Sequence, residues 1–205
     1  MTVMPTESTC LADLDSPKAP ARLEALRGLA RLLANGDISP PVRARDVNNH
    51  IHTTYSLSPY SPAKAAWLAF RAGLSTAGIM DHDSVGGIRE FLEAGAILGL
   101  PVTGGLELRV DFAGTPFADR HINNPDQAGV AYVALHGIPH DRIDTVARYL
   151  EPVQSARGRR NRAMTARLSA LLSQADLSLD YDRDILPLSM AHEGGSVTER
   201  HLLFA

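Results

Sequence analysis

The 205-residue sequence contains one cysteine, Cys10, which excludes a disulfide framework and a thiolate zinc site. Any bound metal must therefore take nitrogen and oxygen ligands. An excess of charge of one sign is also missing: 20 Lys plus Arg stand against 23 Asp plus Glu, a formal charge of −3. A nucleic-acid coat or a polybasic membrane anchor would need a clear cationic excess, so extended nucleic acid is not an expected partner. No uninterrupted apolar run approaches the roughly 20 residues of a membrane helix. The first residues, MTVMPTESTC, lack a basic stretch followed by an apolar one, so the expectation is a soluble, cytoplasmic protein with no membrane partner. What the chain does have is a hydrophobic fraction of 44%, enough for a globular core, and eight histidines.

From Ser16 to Ala34, Leu23, Leu26, Leu29, Leu32 and Leu33 recur at three- and four-residue steps, the period of one helix face. The turn-rich NGDISPP follows, and residues 1–42 are expected to form an N-terminal helical extension to a main domain at 43–205. Beyond it the pattern predicts strand Asp46–His52, helix Pro62–Gly73, strand Ser75–Met80, helix Val85–Gly99 and strand Pro101–Val110. A long irregular stretch from Phe112 to Gly129 precedes strand Val130–His136 and helix Arg142–Leu150. This alternation predicts an α/β fold with a parallel sheet, open or closed into a barrel. Ser61 before Pro62 reads as a helix start, Gly73 and Gly99 as helix ends, and Ser196 with Glu199 as a capping box for the last helix. One cationic run, ARGRRNRAMTAR, occupies 156–167.

Three motifs carry candidate chemistry. In NNHIHTTYS, His50 and His52 are two apart at a strand end, so extended backbone points both imidazoles to one face, where they can meet a divalent cation. Asp81-His82-Asp83 stands at the same place in the next βα unit, where Asp83 or Ser84 could instead cap the following helix. The functional reading gives His82 to the metal and leaves the carboxylates to orient histidines. Glu107, in GGLELRV, is a carboxylate inside an apolar strand, costly to bury unless paired or coordinated. Three successive units each delivering a nitrogen or oxygen ligand favour a metal site at the C-terminal ends of the strands.

HIHTTYS, then DHD, then GLE resembles, in order and spacing, the PHP (polymerase and histidinol phosphatase) superfamily over Asp46 to about Val110. The resemblance implies a distorted TIM-like (β/α)7 barrel, here only its N-terminal portion, that holds two or three divalent ions (Zn, Mn or Fe) and hydrolyses phosphoesters. By position, His50, His52, His82 and Glu107 match metal ligands, with Glu107 the bridging carboxylate and Asp81 or Asp83 acting beside the metals. RRNRAMTARLSALL resembles the family's arginine-bearing helix, and VTERHLLFA its Arg-Pro-His segment, which makes Arg200 and His201 candidate phosphate contacts.

The sequence departs from that pattern in three places. Leu57 stands where the family commonly has an aspartate, which implies fewer ions than the family's set. A later histidine ligand is expected on the strand after Glu107; His136 at the end of VAYVALHG fits the mouth of a parallel barrel, and His121 in the preceding loop is the other choice. The late Asp-x-His motif has no counterpart, and four strands do not close a barrel, so the chain is expected to be the N-terminal part of a longer protein. The expected activity is metal-dependent hydrolysis of a phosphate ester of a small metabolite or nucleotide. The alternative is an inactive PHP-like structural, regulatory or phosphate-binding module. An amidohydrolase with a metal-bridging lysine is disfavoured, because lysine occurs only at Lys18 and Lys64.

Overall fold

The computed structural model describes residues 6–56 and 58–205. Its elements run α1 (Glu7–Asp13), α2 (Ala19–Asn35), β1 (Val47–Ile51), α3 (Pro62–Arg71), β2 (Thr76–His82), α4 (Ile88–Leu98), β3 (Val102–Asp111), β4 (Val130–His136), α5 (Ile143–Leu172) and α6 (Glu199–Phe204). The four strands form one curled, open sheet in the order β1-β2-β3-β4, backed by helices.

Apolar spacing explains the helical layer. Leu23, Leu26 and Leu29 line one face of α2, Ala63, Ala66, Trp67 and Phe70 one face of α3, and Ile88, Phe91, Ala94 and Leu98 one face of α4. All join Ile79 and Leu106 of the sheet in a single core, which also takes in Cys10 and Leu14 at the N-terminus. A fully buried Phe91 or Leu26 contributes about 1.5–3 kcal/mol relative to exposure. Gly95 lets α4 lie close on β3, since a Cβ there would meet Val102 Cγ2 at 2.4 Å. Ser61 caps α3 by accepting from Lys64 N at 3.1 Å, and its own hydroxyl donates to Leu14 O at 2.8 Å, so one cap also ties α1 to the body. Beneath this layer Arg22 forms a buried ion pair with Glu90, Nε to Oε1 at 2.8 Å and Nη2 to Oε2 at 2.5 Å.

β1, β2 and β3 are parallel, and their register sets His82 opposite Glu107. Between Asn48 and Ile51 the β1 register slips by one residue against β2, a bulge that falls on the His50 segment.

β4 corrects the expectation of an all-parallel sheet: it runs antiparallel to β3, with Gly105 opposite His136 and Asp111 opposite Val130. The physical reason is the connection. The segment 112–129 contains no helix to carry the chain back across the sheet, and a parallel neighbour requires such a crossover. Two further differences concern helices. α5 runs for 30 residues straight through Pro152, merging the two helical segments read separately on either side of it. The last helix is capped by Thr198 with His201, not by Ser196 with Glu199.

Candidate metal centre

Three imidazoles from the ends of β1 and β2 converge on one carboxylate oxygen of Glu107 in β3. Glu107 Oε2 lies 3.4 Å from His50 Nε2, 3.6 Å from His52 Nε2 and 3.1 Å from His82 Nδ1. The His52 and His82 rings stack at 4.6 Å and the His50 ring meets His52 edge-on at 5.0 Å. The ligand atoms of His50, His52 and Glu107 lie within 4.8 Å of one another, a spacing that one cation can bridge.

Hydrogen bonding behind the cluster fixes the His52 tautomer. Asp81 is 1% exposed and accepts from Thr53 N at 2.7 Å, Thr53 Oγ1 at 2.6 Å and Ser56 Oγ at 2.5 Å. With its proton on Asp81, the Ser56 hydroxyl is left as an acceptor for His52 Nδ1–H at 3.3 Å. The His52 Nε2 lone pair is then free and faces Glu107, the arrangement a metal-ligating imidazole requires. Burial pushes the Asp81 carboxyl up, and the bonds from Ser56 and Thr53 oppose that shift.

The donor set fits a cation. Burial, the first cause, lowers the pKa of His52, and lowers that of His82 to about 4, so both rings are neutral near pH 7. Neutral nitrogens stand 3.1–3.6 Å from a carboxylate oxygen, yet none of the three contacts has hydrogen-bond geometry. Lone pairs brought together this way are compensated by a positive ion between them.

The cluster opens into a cleft of about 610 Å³ lined by His52, Ser56, His82 and Glu107, with Asn123, Asp126, Tyr132, Arg157, Thr198, Glu199 and Arg200 on its other walls. Asn123 pairs with the backbone of Tyr132 like a strand residue, Nδ2 to O at 2.8 Å and N to Oδ1 at 2.9 Å, and so lays the 112–129 segment along β4. Arg157 donates to Asp83 and Glu199, and Arg160 also pairs with Glu199. Burial, with the Arg157 and Arg109 guanidiniums alongside, lowers the pKa of Arg160. The other walls thus carry Arg157 and Arg200 alongside Glu199 and Asp126.

The remaining candidates take up different places in the structure. Arg200 lines the cleft. His201 does not: it is fully buried, accepts from Thr198 N at 2.9 Å through Nδ1, and serves the α6 cap. Asp81 and Asp83 both commit their carboxylates to hydrogen bonds, Asp81 to Thr53 and Ser56, Asp83 to Arg157. His136 is exposed and pairs with Gly105, two residues before Glu107 on β3, and its ring is not among the ligand atoms grouped at His50, His52 and Glu107. His121 is exposed in the 112–129 segment, with Nδ1 3.4 Å from Asn124 O. Leu57, at the expected aspartate position, lies outside the described residues. Sequence reasoning missed Ser56, Tyr132, Asn123 and Asp126; Arg157 had a signal, its place in the cationic run.

No family model matches the sequence, and no curated protein does. Among solved structures, the chain is similar to a proposed metal-dependent phosphoesterase from Bifidobacterium adolescentis, with a TM-score of 0.56 and 25% identity over 80% of this chain and 49% of that one. It is also similar in fold to an amidohydrolase from Chromobacterium violaceum, solved with bound sulfate and no metal, with a TM-score of 0.57 and 23% identity over 77% of this chain and 49% of that one. The chain thus spans about half the length of the solved structures it matches and is similar to them in its α/β fold; its own curled sheet carries a candidate His/His/Glu metal site.

Proposed function

We propose that the chain carries the metal-binding half of a PHP-type phosphoesterase that hydrolyses a phosphate ester of a small metabolite or nucleotide. One observation carries this reading: His50, His52 and His82, from two different strand ends, all face a single oxygen of Glu107. The likeness to the Bifidobacterium protein supports a metal-dependent hydrolase.

His50, His52 and Glu107 would hold a divalent ion, with His82 beside them on the shared carboxylate. When bound, such an ion (Zn, Mn or Fe) lowers the pKa of a coordinated water toward neutrality and screens phosphoryl charge. The chain's own residues supply the rest. Ser56 and Asp81 keep the His52 Nε2 lone pair directed into the cleft. Arg200, with Arg157 beside it on the cleft wall, would donate charge-assisted hydrogen bonds to non-bridging phosphate oxygens, orienting the ester and stabilising charge that grows on them. A cleft of about 610 Å³ suits a small ligand, and a net charge of −3 does not suit a long polyanion.

A second reading, a PHP-like module without hydrolytic activity, is favoured by Leu57 at the aspartate position and by the antiparallel run of β4, which leaves His136 outside the group of His50, His52 and Glu107. Incubation of the protein with Mn²⁺ or Zn²⁺ and p-nitrophenyl phosphate separates the two. Release of phosphate that is abolished by Glu107→Ala supports hydrolysis. Tight metal binding without release supports the module.

A further inference from the structure

Two metal-facing imidazoles are positioned by different means. His52 has the Ser56–Asp81 relay behind it. The His82 ring makes no hydrogen bond among the described residues, so beyond its stacking on His52 its orientation depends on the backbone on either side of it. That backbone is unusual at Asp83, which has φ +49°, a left-handed conformation that few residues besides glycine adopt. Asp83 is 2% exposed, and α5 or β3 grips nearly every polar group it has. Its N–H donates to Glu107 O at 2.9 Å. Its carbonyl accepts from Gln154 Nε2 at 2.9 Å. Its Oδ2 accepts from Arg157 Nε at 2.6 Å and lies 2.5 Å from Arg157 Nη2.

Gln154 and Arg157 are one turn apart on α5, so they present a single fork to the residue after His82. The fork also reaches the segment before α6: Gln154 Nε2 lies 3.1 Å from Gly194 O, and Arg157 Nη1 lies 3.3 Å from Glu199 Oε2.

We infer that Arg157 and Gln154 are positioning residues which, by holding Asp83 in its left-handed conformation, aim the His82 imidazole at Glu107 and so set the metal affinity of the centre. This rests on the proposed metal-binding reading. It assigns Arg157 a role through Asp83, apart from any contact with substrate. Outer partners of ligating residues typically change metal affinity 10–100-fold when removed.

Titration of the full chain with Mn²⁺ alone, by calorimetry, tests the inference without activity as the readout. Arg157→Gln and Asp83→Asn should each bind about 10–100-fold more weakly than the parent, and the double variant no more weakly than the weaker single, because both cut the same link. Arg157→Lys should recover part of the affinity. In metal-free protein the His82 imidazole NMR resonances should shift in Arg157→Gln while those of His140, exposed just before α5, stay in place. Asp83→Gly keeps the left-handed backbone without strain, so weak binding by this variant with an unchanged melting curve would separate lost anchoring from unfolding. Parent-like Mn²⁺ affinity in Arg157→Gln overturns the inference alone. A parent that binds no Mn²⁺ overturns the metal reading and the inference with it.

Discussion

Between Asp46 and Asp111 every candidate ligand stands at the end of a strand whose apolar neighbours share one core with α2, α3 and α4. From Phe112 onward the groups that reach the cleft come from an irregular segment, a 30-residue helix and a six-residue helix, joined to the rest by Ile143 and Leu150 in the main core and by ion pairs, with a small cluster of Tyr181, Ile185, Val197 and Leu202 of their own. The first region positions chemistry by strand register. The second does so by charge pairs between residues far apart in the chain, such as Arg157 and Asp83, 74 residues apart.

The contrast can be broken at several points. The largest effect is expected at the focus of the first region: Glu107→Gln removes the oxygen shared by three imidazoles and should bring Mn²⁺ binding below detection by calorimetry, with the melting temperature nearly unchanged. Next is the one charge pair that belongs to the first region's core. Arg22→Met leaves Glu90 buried and unpaired and should cost about 3–5 kcal/mol in urea unfolding, whereas Arg22→Met with Glu90→Leu should recover most of it.

Ser56→Ala cuts the relay behind His52 and should weaken Mn²⁺ binding about 10-fold or more, with the fold intact. In the second region burial holds the His201 pKa below the ordinary imidazole value of 6.5. The unfolded chain then takes up a proton that the folded one resists, so stability is full above pH 6.5 and declines as pH falls below it. His201→Asn keeps an acceptor for the Thr198 N–H and should flatten that decline in urea midpoints measured between pH 7 and pH 5. The smallest effect is expected at Arg27, on the same helix as Arg22 but paired with Glu93 in solvent: Arg27→Ala should change stability by less than about 1 kcal/mol.

Much of the first region was legible in the sequence, because its signals are local. His-x-His at a strand end, Asp-His-Asp at the next and a glutamate in an apolar strand each need only the period of a strand to be placed on a common face. The helix boundaries at Ser61 and Gly99 were equally visible, since a capping hydroxyl and a left-handed glycine act within one turn. The second region hid what depends on long-range geometry. His136 was assigned to the ligand end on the premise of a parallel strand, and strand direction is set by the length and shape of the connection, which no short motif records. The helix Arg142–Leu150 was read as a separate element, yet α5 continues through Pro152, because a proline removes one backbone bond and leaves the remaining turns to hold the helix. Ser56 carried no signal at all, since a serine gains a role only when an aspartate 25 residues away folds against it.

The reversal of β4 has a consequence for insertions and deletions. The chain leaves β4 beside Gly104, whose carbonyl accepts from Gly137 and Ile138, and α5 must carry it on to Asp83. From Ile143 to Arg157 is 14 helical steps of about 1.5 Å, roughly 21 Å of helix before the fork meets Asp83. Helix length thus acts as a ruler, and its phase matters as much as its reach. One residue added or lost between Ile143 and Gln154 would turn the fork about 100° around the helix axis, away from Asp83. The same change beyond Arg162 would leave the fork in place, so drift in length among natural variants of this chain should concentrate in the outer half of α5 and in the 112–129 segment.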